Sequence, residues 1–227
     1  MVIVGAGSST RMGPGTPKQF RELGGIPLIM WSVRHFCASP AVREVVLVVP
    51  ETHLRNMELL VRRESLQKVS AIVPGGARRQ DSVAAGIRAT TGSAIVAIHD
   101  AARPFPPQNL GDAVERAAEV GAVIYGVPVA ETLKRIDYPR VVQTVSRDHV
   151  WAAQTPQVFR RDVLELALTH CERESLEVTD EAGAVEALGY RVEIIPGTRT
   201  NLKLTNPEDW MLAEALAREV GLASENA

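Results

Sequence analysis

Short β-branched runs punctuate the chain, with room for a helix between most of them. Val2-Ile3-Val4 is the first and Val45 to Val49 the second. Ala71-Ile72-Val73, Ala94 to Ile98 and Ala122-Val123-Ile124 follow, and Arg191 to Ile195 comes late. The earlier runs are apolar at nearly every position, which suits strands buried on both faces of a mostly parallel sheet. Between them the period lengthens. Pro27 suits a first helical turn, after which Leu28, Trp31 and Phe36 recur at helical spacing. Ala113 to Val120 and Pro207 to Val220 also read as helices. Alternating strands and helices predict a three-layer α/β/α domain.

One segment breaks this rhythm. Residues 131–145 hold Leu133-Lys134-Arg135-Ile136, then Asp137-Tyr138-Pro139-Arg140, then Val141 to Val145. They read as two strands around a turn, with too little apolar surface for a core of their own. Such a hairpin either projects as an arm that docks on another subunit or folds back on its own sheet. No repeat, low-complexity tract or long linker divides the 227 residues, so one domain over 1–227 is expected. The tail 223–227 is expected to fray.

Composition narrows the function classes. The formal charge of −2 excludes nucleic-acid binding by bulk charge. No apolar run approaches the roughly 18 residues of a membrane helix, and the start lacks the pattern of a signal peptide. Cys37 and Cys171 lack metal-ligand spacing and are expected as buried thiols in a reducing compartment, which places the chain in the cytoplasm. With 4% aromatics, aliphatic side chains and alanine must fill the core.

The first run opens into Gly5-Ala6-Gly7-Ser8-Ser9-Thr10-Arg11-Met12-Gly13-Pro14-Gly15-Thr16-Pro17-Lys18. Small residues after a strand let backbone N–H groups approach phosphate oxygens. A dinucleotide fingerprint fails because Thr10 stands where a third glycine is needed and Pro14 and Pro17 oppose the helix that should follow. A Walker A loop fails because no Gly-Lys-Ser/Thr follows at its spacing. What remains is a phosphate-binding loop with two cations, Arg11 and Lys18.

Further polar segments follow other strands, where open α/β sheets bind ligands. Gly75-Gly76 with Asp81 and Ser82 offers either a ligand contact or a helix cap. In His99-Asp100-Ala101-Ala102-Arg103-Pro104, Asp100 suits a hard divalent cation, directly or through water, or else a cap paired to Arg103. His99 is read as a hydrogen-bonded framing residue. Asn206 is a candidate cap for the last helix, with Pro207 in its first turn. No zinc-ligand spacing and no nucleophile elbow occurs. Singly, Arg147 and Lys203 read as solvated charges.

Taken in order, these segments resemble the 2-C-methyl-D-erythritol 4-phosphate cytidylyltransferases of the non-mevalonate isoprenoid pathway. The resemblance covers essentially the whole chain. It rests on Ala6-Gly7 through Arg11-Met12-Gly13 with Pro17-Lys18-Gln19-Phe20, and on Gly75-Gly76 through Arg79-Gln80-Asp81-Ser82-Val83. It continues through His99 to Pro104, Val127-Pro128-Val129 with Thr132-Leu133-Lys134, Thr155-Pro156-Gln157, Thr179-Asp180-Glu181 and Asn201 to Thr205. Three positions depart from the family pattern. Gly5 and Ser9 stand where Ala and Gly are common, and Glu131 where Asp is usual.

The resemblance implies a Rossmann-like nucleotidyltransferase sheet with a projecting hairpin, 131–145, that makes a homodimer. It implies CMP transfer from CTP to methylerythritol phosphate, with release of pyrophosphate and with Mg²⁺ or another divalent cation held near Asp100. Catalytic roles fall to Arg11, Lys18, Arg147 and Lys203. CTP contacts fall to Ala6, Gly7, Ser8, Ser9, Arg11, Lys18, Gly76, Arg79, Ser82, Asp100 and Ala101. Contacts to the polyol phosphate fall to Asp100, Arg103, Glu131, Thr132, Arg147, Thr155, Thr179 and Lys203. A second, cyclodiphosphate synthase domain, as in fused relatives, is not expected at this length. Neither nucleic acid nor membrane is expected as a partner. The alternatives are a cytidylyltransferase for another polyol phosphate, such as ribitol 5-phosphate, and a non-catalytic nucleotide-binding protein on the same fold.

Overall fold

A computed structural model describes residues 1–7 and 15–225, with side chains as far as Val220. Seven strands form the central sheet: β1 (Val2–Val4), β4 (Val45–Val49), β5 (Val69–Pro74), β6 (Ile95–Asp100), β7 (Ala122–Pro128), β10 (Trp151–Arg160) and β11 (Glu193–Pro196). Across the sheet they lie in the order β11-β7-β10-β6-β1-β4-β5. Each apolar run of the sequence became a strand. The pairs β1–β4, β1–β6, β4–β5 and β7–β11 are parallel, while β10 runs antiparallel to both β6 and β7. The sequence did not reveal β10. Gln154, Pro156 and Gln157 interrupt its pattern, and its register against β7 shifts between Gln154 and Gln157.

Helices cover both faces. The core on one face joins Ile3, Leu47 and Val49 to Met30, Val33 and Phe36 of α1 (Leu28–Ala38) and to Ala113 and Ala117 of α4 (Leu110–Val120). The core on the other joins Val2, Val46 and Val48 to Val83 and Ile87 of α3 (Arg79–Arg88). It also takes in Leu164 and Ala167 of α5 (Arg161–Arg173) and Ala184 and Val185 of α6 (Glu181–Ala187). Small and aliphatic side chains dominate both cores, as the low aromatic content requires. Helix α2 (Leu54–Arg63) contributes only Met57 fully. A third cluster joins Leu23, Leu28 and Leu204 to Ala213 and Ala217 of α7 (Pro207–Glu225). Leu23 and its neighbours form a small ribbon, β2 (Glu22–Leu23) with β3 (Ile26–Pro27).

The hairpin is β8 (Leu133–Asp137) with β9 (Arg140–Val145), which among the described residues pair only with each other. It does not fold back on the central sheet. Cys37 is half-buried and Cys171 buried, and both thiols are free. Among the described residues no helix is long and apolar enough to cross a membrane.

Candidate functional site: a cationic pocket at the strand ends

The parallel strands β1, β5 and β6 end at one edge of the sheet, and the backbone ladder continues past them. Gly5 N–H donates to Val48 O (2.7 Å), Gly75 N–H to Val49 O (3.0 Å) and Ala101 N–H to Val4 O (2.9 Å). The segments after these strands therefore leave side by side. A Cβ on Gly75 would overlap Ala6 Cβ, and one on Gly76 would overlap Asp81 Cβ. Only glycine lets these turns close on each other. The departure at Gly5 has a local cause as well. A Cβ there would lie 3.1 Å from both Ala101 Cβ and Ile29 Cδ1. Together the segments frame a cavity of about 450 Å³, within the ordinary range for a small-molecule site.

Among the described residues four cations and one carboxylate line this cavity: Lys18, Arg78, Arg79, Lys203 and Asp100. Lys203 is placed by its neighbours. Leu204 is buried in the third cluster and its N–H donates to Ala102 O (2.9 Å). Lys203 thus points outward, and its Nζ pairs with Asp100 Oδ2 at 2.6 Å. Arg79 opens α3. Its Nη2 and Nε meet Asp100 Oδ1 at 2.9 and 3.3 Å, and its Nη1 meets Glu181 Oε1 at 2.5 Å. Burial pushes the Asp100 carboxyl up, but Arg79 and Lys203 outweigh it and hold the group well below the ordinary carboxylate range. Burial likewise works against the Arg79 guanidinium, and the two carboxylates more than offset it. Lys18 lies in a short 3₁₀ turn, Lys18–Phe20, and its ammonium donates to Leu204 O. With the N-terminal end of α3 in the same wall, the cavity is built to hold a polyanion.

Most of the expected nucleotide contacts meet here. Ala6, Gly7, Lys18, Gly76, Arg79, Ser82, Asp100 and Ala101 all line the cavity, and Lys203, expected at the polyol phosphate, lines it with them. Ser8, Ser9 and Arg11 lie outside the described residues. The Ser82 hydroxyl already accepts from Gly76 N–H (3.1 Å) and reaches Arg78 O (3.3 Å), so it shapes the turn that it lines. Asp81 resolves to the capping alternative: its carboxylate accepts from Arg78 N–H (3.0 Å) and pairs with the Arg78 side chain.

Several expected polyol-phosphate contacts fall elsewhere. Arg103 does not pair with Asp100 and does not line the cavity. Its guanidinium donates to Asn201 O (2.7 Å) and Ala153 O (3.3 Å), bracing the segment before Lys203. Thr155 is buried, and its hydroxyl is taken up by Asp100 N–H (3.0 Å) and His99 Nδ1 (3.1 Å). It frames Asp100 from behind. Thr179 is exposed ahead of α6 and outside the cavity lining. Glu131, Thr132 and Arg147 are exposed at the base of the hairpin, also outside it, and Arg147 donates to Ala130 O. Asn206 directly precedes Pro207 at the N-cap position of α7, and its backbone N–H is held from inside the first turn. The Asp209 carboxylate, inside the first turn, accepts from Thr205 N–H (2.6 Å) and Asn206 N–H (2.8 Å).

His99 has the framing role read from the sequence. It is fully buried, its Nε2 faces Arg103 O (2.9 Å), and burial is the main cause pushing its pKa down to about 3. The neutral ring therefore donates to Arg103 O and accepts from Thr155.

Three supporting residues were not singled out from sequence. The buried Gln19 amide donates to Gly5 O (2.5 Å) and Gly7 O (3.0 Å), tying Lys18 to the exit of β1. Gln157 donates to Asp180 Oδ2 (2.7 Å) and accepts from Ala182 N–H (3.0 Å), fixing the start of α6. Glu181 meets Arg79 from a position 102 residues away. Their motifs were legible. Their burial, which depends on the packed fold, was not.

Among the described residues no group of three His, Cys, Asp or Glu side chains is placed to hold a metal. Asp100 is the one carboxylate among the described residues lining the cavity. A Mg²⁺ ion that keeps phosphate and water oxygens needs only one or two carboxylates. The cavity therefore fits an ion that arrives on a polyphosphate.

A cationic pocket at the strand ends of a mostly parallel α/β sheet defines a phosphate-handling, nucleotide-binding class of protein. The model of the 2-C-methyl-D-erythritol 4-phosphate cytidylyltransferase family matches residues 1–219, and the chain belongs to that family. The 2-C-methyl-D-erythritol 4-phosphate cytidylyltransferase of Halalkalibacterium halodurans is 40% identical over 220 residues, covering 96% of each chain. The bifunctional enzyme IspD/IspF of Desulfotalea psychrophila is 42% identical over 221 residues, which span 96% of this chain and 56% of that one. Among solved structures, the cytidylyltransferase of Thermus thermophilus superposes with a TM-score of 0.78 at 34% identity, covering 96% of this chain and 98% of that one.

Proposed function

We propose that the chain transfers CMP from CTP to 2-C-methyl-D-erythritol 4-phosphate, releasing pyrophosphate, with its reacting end at the pocket of Lys18, Arg79, Asp100 and Lys203. The observation that carries this reading is the convergence of those side chains beside the N-terminal end of α3. A phosphate oxygen of the polyol phosphate attacks the α-phosphorus of CTP in line. The new P–O bond forms as the bond from the α-phosphorus to the bridging oxygen breaks, and the electron pair leaves with pyrophosphate. The nucleophile is already anionic, so no general base is required. The obstacle is charge: two anions meet while more charge gathers on the bridging and non-bridging oxygens. Fixed cations in a preorganised pocket offset it. Lys18 serves the triphosphate, and Lys203, held by Asp100, aligns the incoming phosphate. Asp100 would hold Mg²⁺ directly or through water, and the ion would neutralise triphosphate charge. Arg11 joins Lys18 in this assignment on the strength of the family motif.

The polyol end is less complete within one chain. Thr132 and Arg147 sit at the base of a hairpin that pairs only with itself. Ile136, Tyr138, Val141 and Val142 are all exposed there. A homodimer in which the arm of one subunit finishes the site of the other accounts for both facts. The functional test is a panel of polyol phosphates with CTP and Mg²⁺, read as pyrophosphate release. Turnover confined to methylerythritol phosphate is expected. Preference for ribitol 5-phosphate overturns the substrate, and CTP binding without release of pyrophosphate from any polyol overturns the reaction.

A further inference from the structure

Glu181 is the most buried acid in the molecule's charged core, at 1% exposure, and it does not line the cavity. A carboxylate so enclosed needs a reason, since burying a charge without full pairing is costly. Half of its bonding capacity is spent on Arg79: Oε1 takes Nη1 at 2.5 Å. The other oxygen, Oε2, is buried with no hydrogen-bond partner among the described residues. Burial pushes the carboxyl up, and the guanidinium pulls it back. Its position is itself heavily built. Asp180 caps α6 by accepting from Gly183 N–H (3.0 Å), and Gln157 clamps both Asp180 and the Ala182 N–H. The fold thus fixes a costly, half-satisfied carboxylate behind an arginine of the nucleotide pocket.

The geometry shows what that carboxylate changes. Arg79 is shared between two acids, Asp100 through Nε and Nη2 and Glu181 through Nη1. Asp100 is in turn shared between two cations, Arg79 on Oδ1 and Lys203 on Oδ2. The four groups form a row, Glu181–Arg79–Asp100–Lys203, with two charges of each sign. Remove the end charge and Arg79 is free to turn wholly onto Asp100, competing with Lys203 for it. We propose that Glu181 is a positioning residue for the transfer reaction: it holds the Arg79 guanidinium against the pocket wall, so that Asp100 and Lys203 keep the orientation the reacting phosphates require. This rests on the reading of the pocket as the CTP and polyol-phosphate site.

The charge argument gives a signature that a packing role alone lacks. Neutralising Glu181 makes the row more positive, so nucleotide binding does not weaken while alignment is lost. For Glu181→Gln, which keeps the shape, kcat is expected to fall about tenfold with the KM for CTP unchanged or lower. The effect must run through Arg79. In an Arg79→Ala background the same substitution is expected to add less than twofold. If the Gln variant does not fold, Glu181→Asp, which keeps the charge but shortens the reach, carries the same test: lower kcat with no rise in the KM for CTP. A kcat within twofold of wild type, a raised KM for CTP at unchanged kcat, or a full tenfold loss in the Arg79→Ala background overturns the proposal. Wild-type protein that releases no pyrophosphate from CTP and any polyol phosphate overturns the functional reading first, and the inference with it.

Discussion

The nucleotide pocket and the hairpin are built on opposite principles. In the pocket, charges are committed to one another: Asp100 is held by Arg79 and Lys203, and Arg79 by Asp100 and Glu181. Elements from four parts of the chain meet there, locked by the ends of β1, β5 and β6. In the hairpin, two strands pair only with each other and expose their apolar side chains. Ile136 and Val141 are cross-strand partners, so they share one face, and Tyr138 at the tip is 88% exposed. A two-stranded ribbon is marginal by itself, and solvent-facing apolar side chains on it are best explained by a surface that covers them. One region is finished by its own fold. The other leaves apolar side chains exposed, as the proposed dimer requires.

The comparison breaks most completely if the arm is dispensable. Deleting residues 133–142 is expected to abolish the dimer, halving the mass in light scattering, and to abolish turnover while leaving a folded domain. An unchanged mass removes the arm from the assembly. Lys18→Ala tests the other region. Losing one preorganised cation from the triphosphate costs on the order of 3 kcal/mol in the barrier, about a hundredfold in kcat, with the melting midpoint little changed. Near-normal turnover in a folded variant removes Lys18 from the chemistry.

Arg147 sharpens the boundary between the regions. Its alanine variant is expected to raise the KM for methylerythritol phosphate about 30-fold, on the order of 2 kcal/mol, with little change for CTP. If the arm acts on the partner's pocket, mixing this variant with Lys18→Ala and allowing subunits to exchange should restore activity. Half the exchanged dimers are mixed, and each has one intact site, so about a quarter of wild-type activity returns. No recovery in a mixture shown to exchange places Arg147 on its own chain's site.

The same division explains how much could be read without a structure. Strands buried on both faces announce themselves by unbroken apolar runs, and every such run became a strand of the sheet. Strand β10 did not, because Gln154, Thr155 and Gln157 face inward and serve as hydrogen-bonding struts to Thr198, His99 and Asp180. A polar residue that braces a site looks, in sequence, like one that touches a ligand. Thr155 and Arg103, expected as substrate contacts, both make such bracing bonds within the fold. Lys18, Arg79, Asp100 and Lys203 were legible as family motifs, yet neither the ion-paired row nor the place of Glu181 in it follows from spacing. Such pairings join Arg79 to Glu181 across 102 residues and Asp100 to Lys203 across 103.

The smallest effect tests how rigidly the pocket is framed. His99 is fully buried, and its pKa is pushed down to about 3 from an ordinary value of 6.5. The folded state therefore binds fewer protons than the unfolded chain as pH falls below 6.5, and stability falls with it. Between about pH 7.5 and 5.5 this one residue is expected to remove about 1.4 kcal/mol from the unfolding free energy. Asp100 works in a different window: its depressed carboxyl gives stability that is lost only as pH falls below its ordinary value of 3.8. Glu181 has the opposite sign, since its raised carboxyl favours the fold more at low pH than at high. His35 is also pushed down, by burial, so wild-type protein loses stability on acidification from more than one group. The difference between wild type and His99→Gln isolates the framing histidine, because the other groups are common to both. Urea denaturation at the two pH values is expected to show a steeper acid loss in wild type than in the variant, by about 1.4 kcal/mol. Equal losses would mean that His99 takes up its proton without disturbing the fold, and that the Thr155–His99–Arg103 frame behind Asp100 yields where the packed pocket should not.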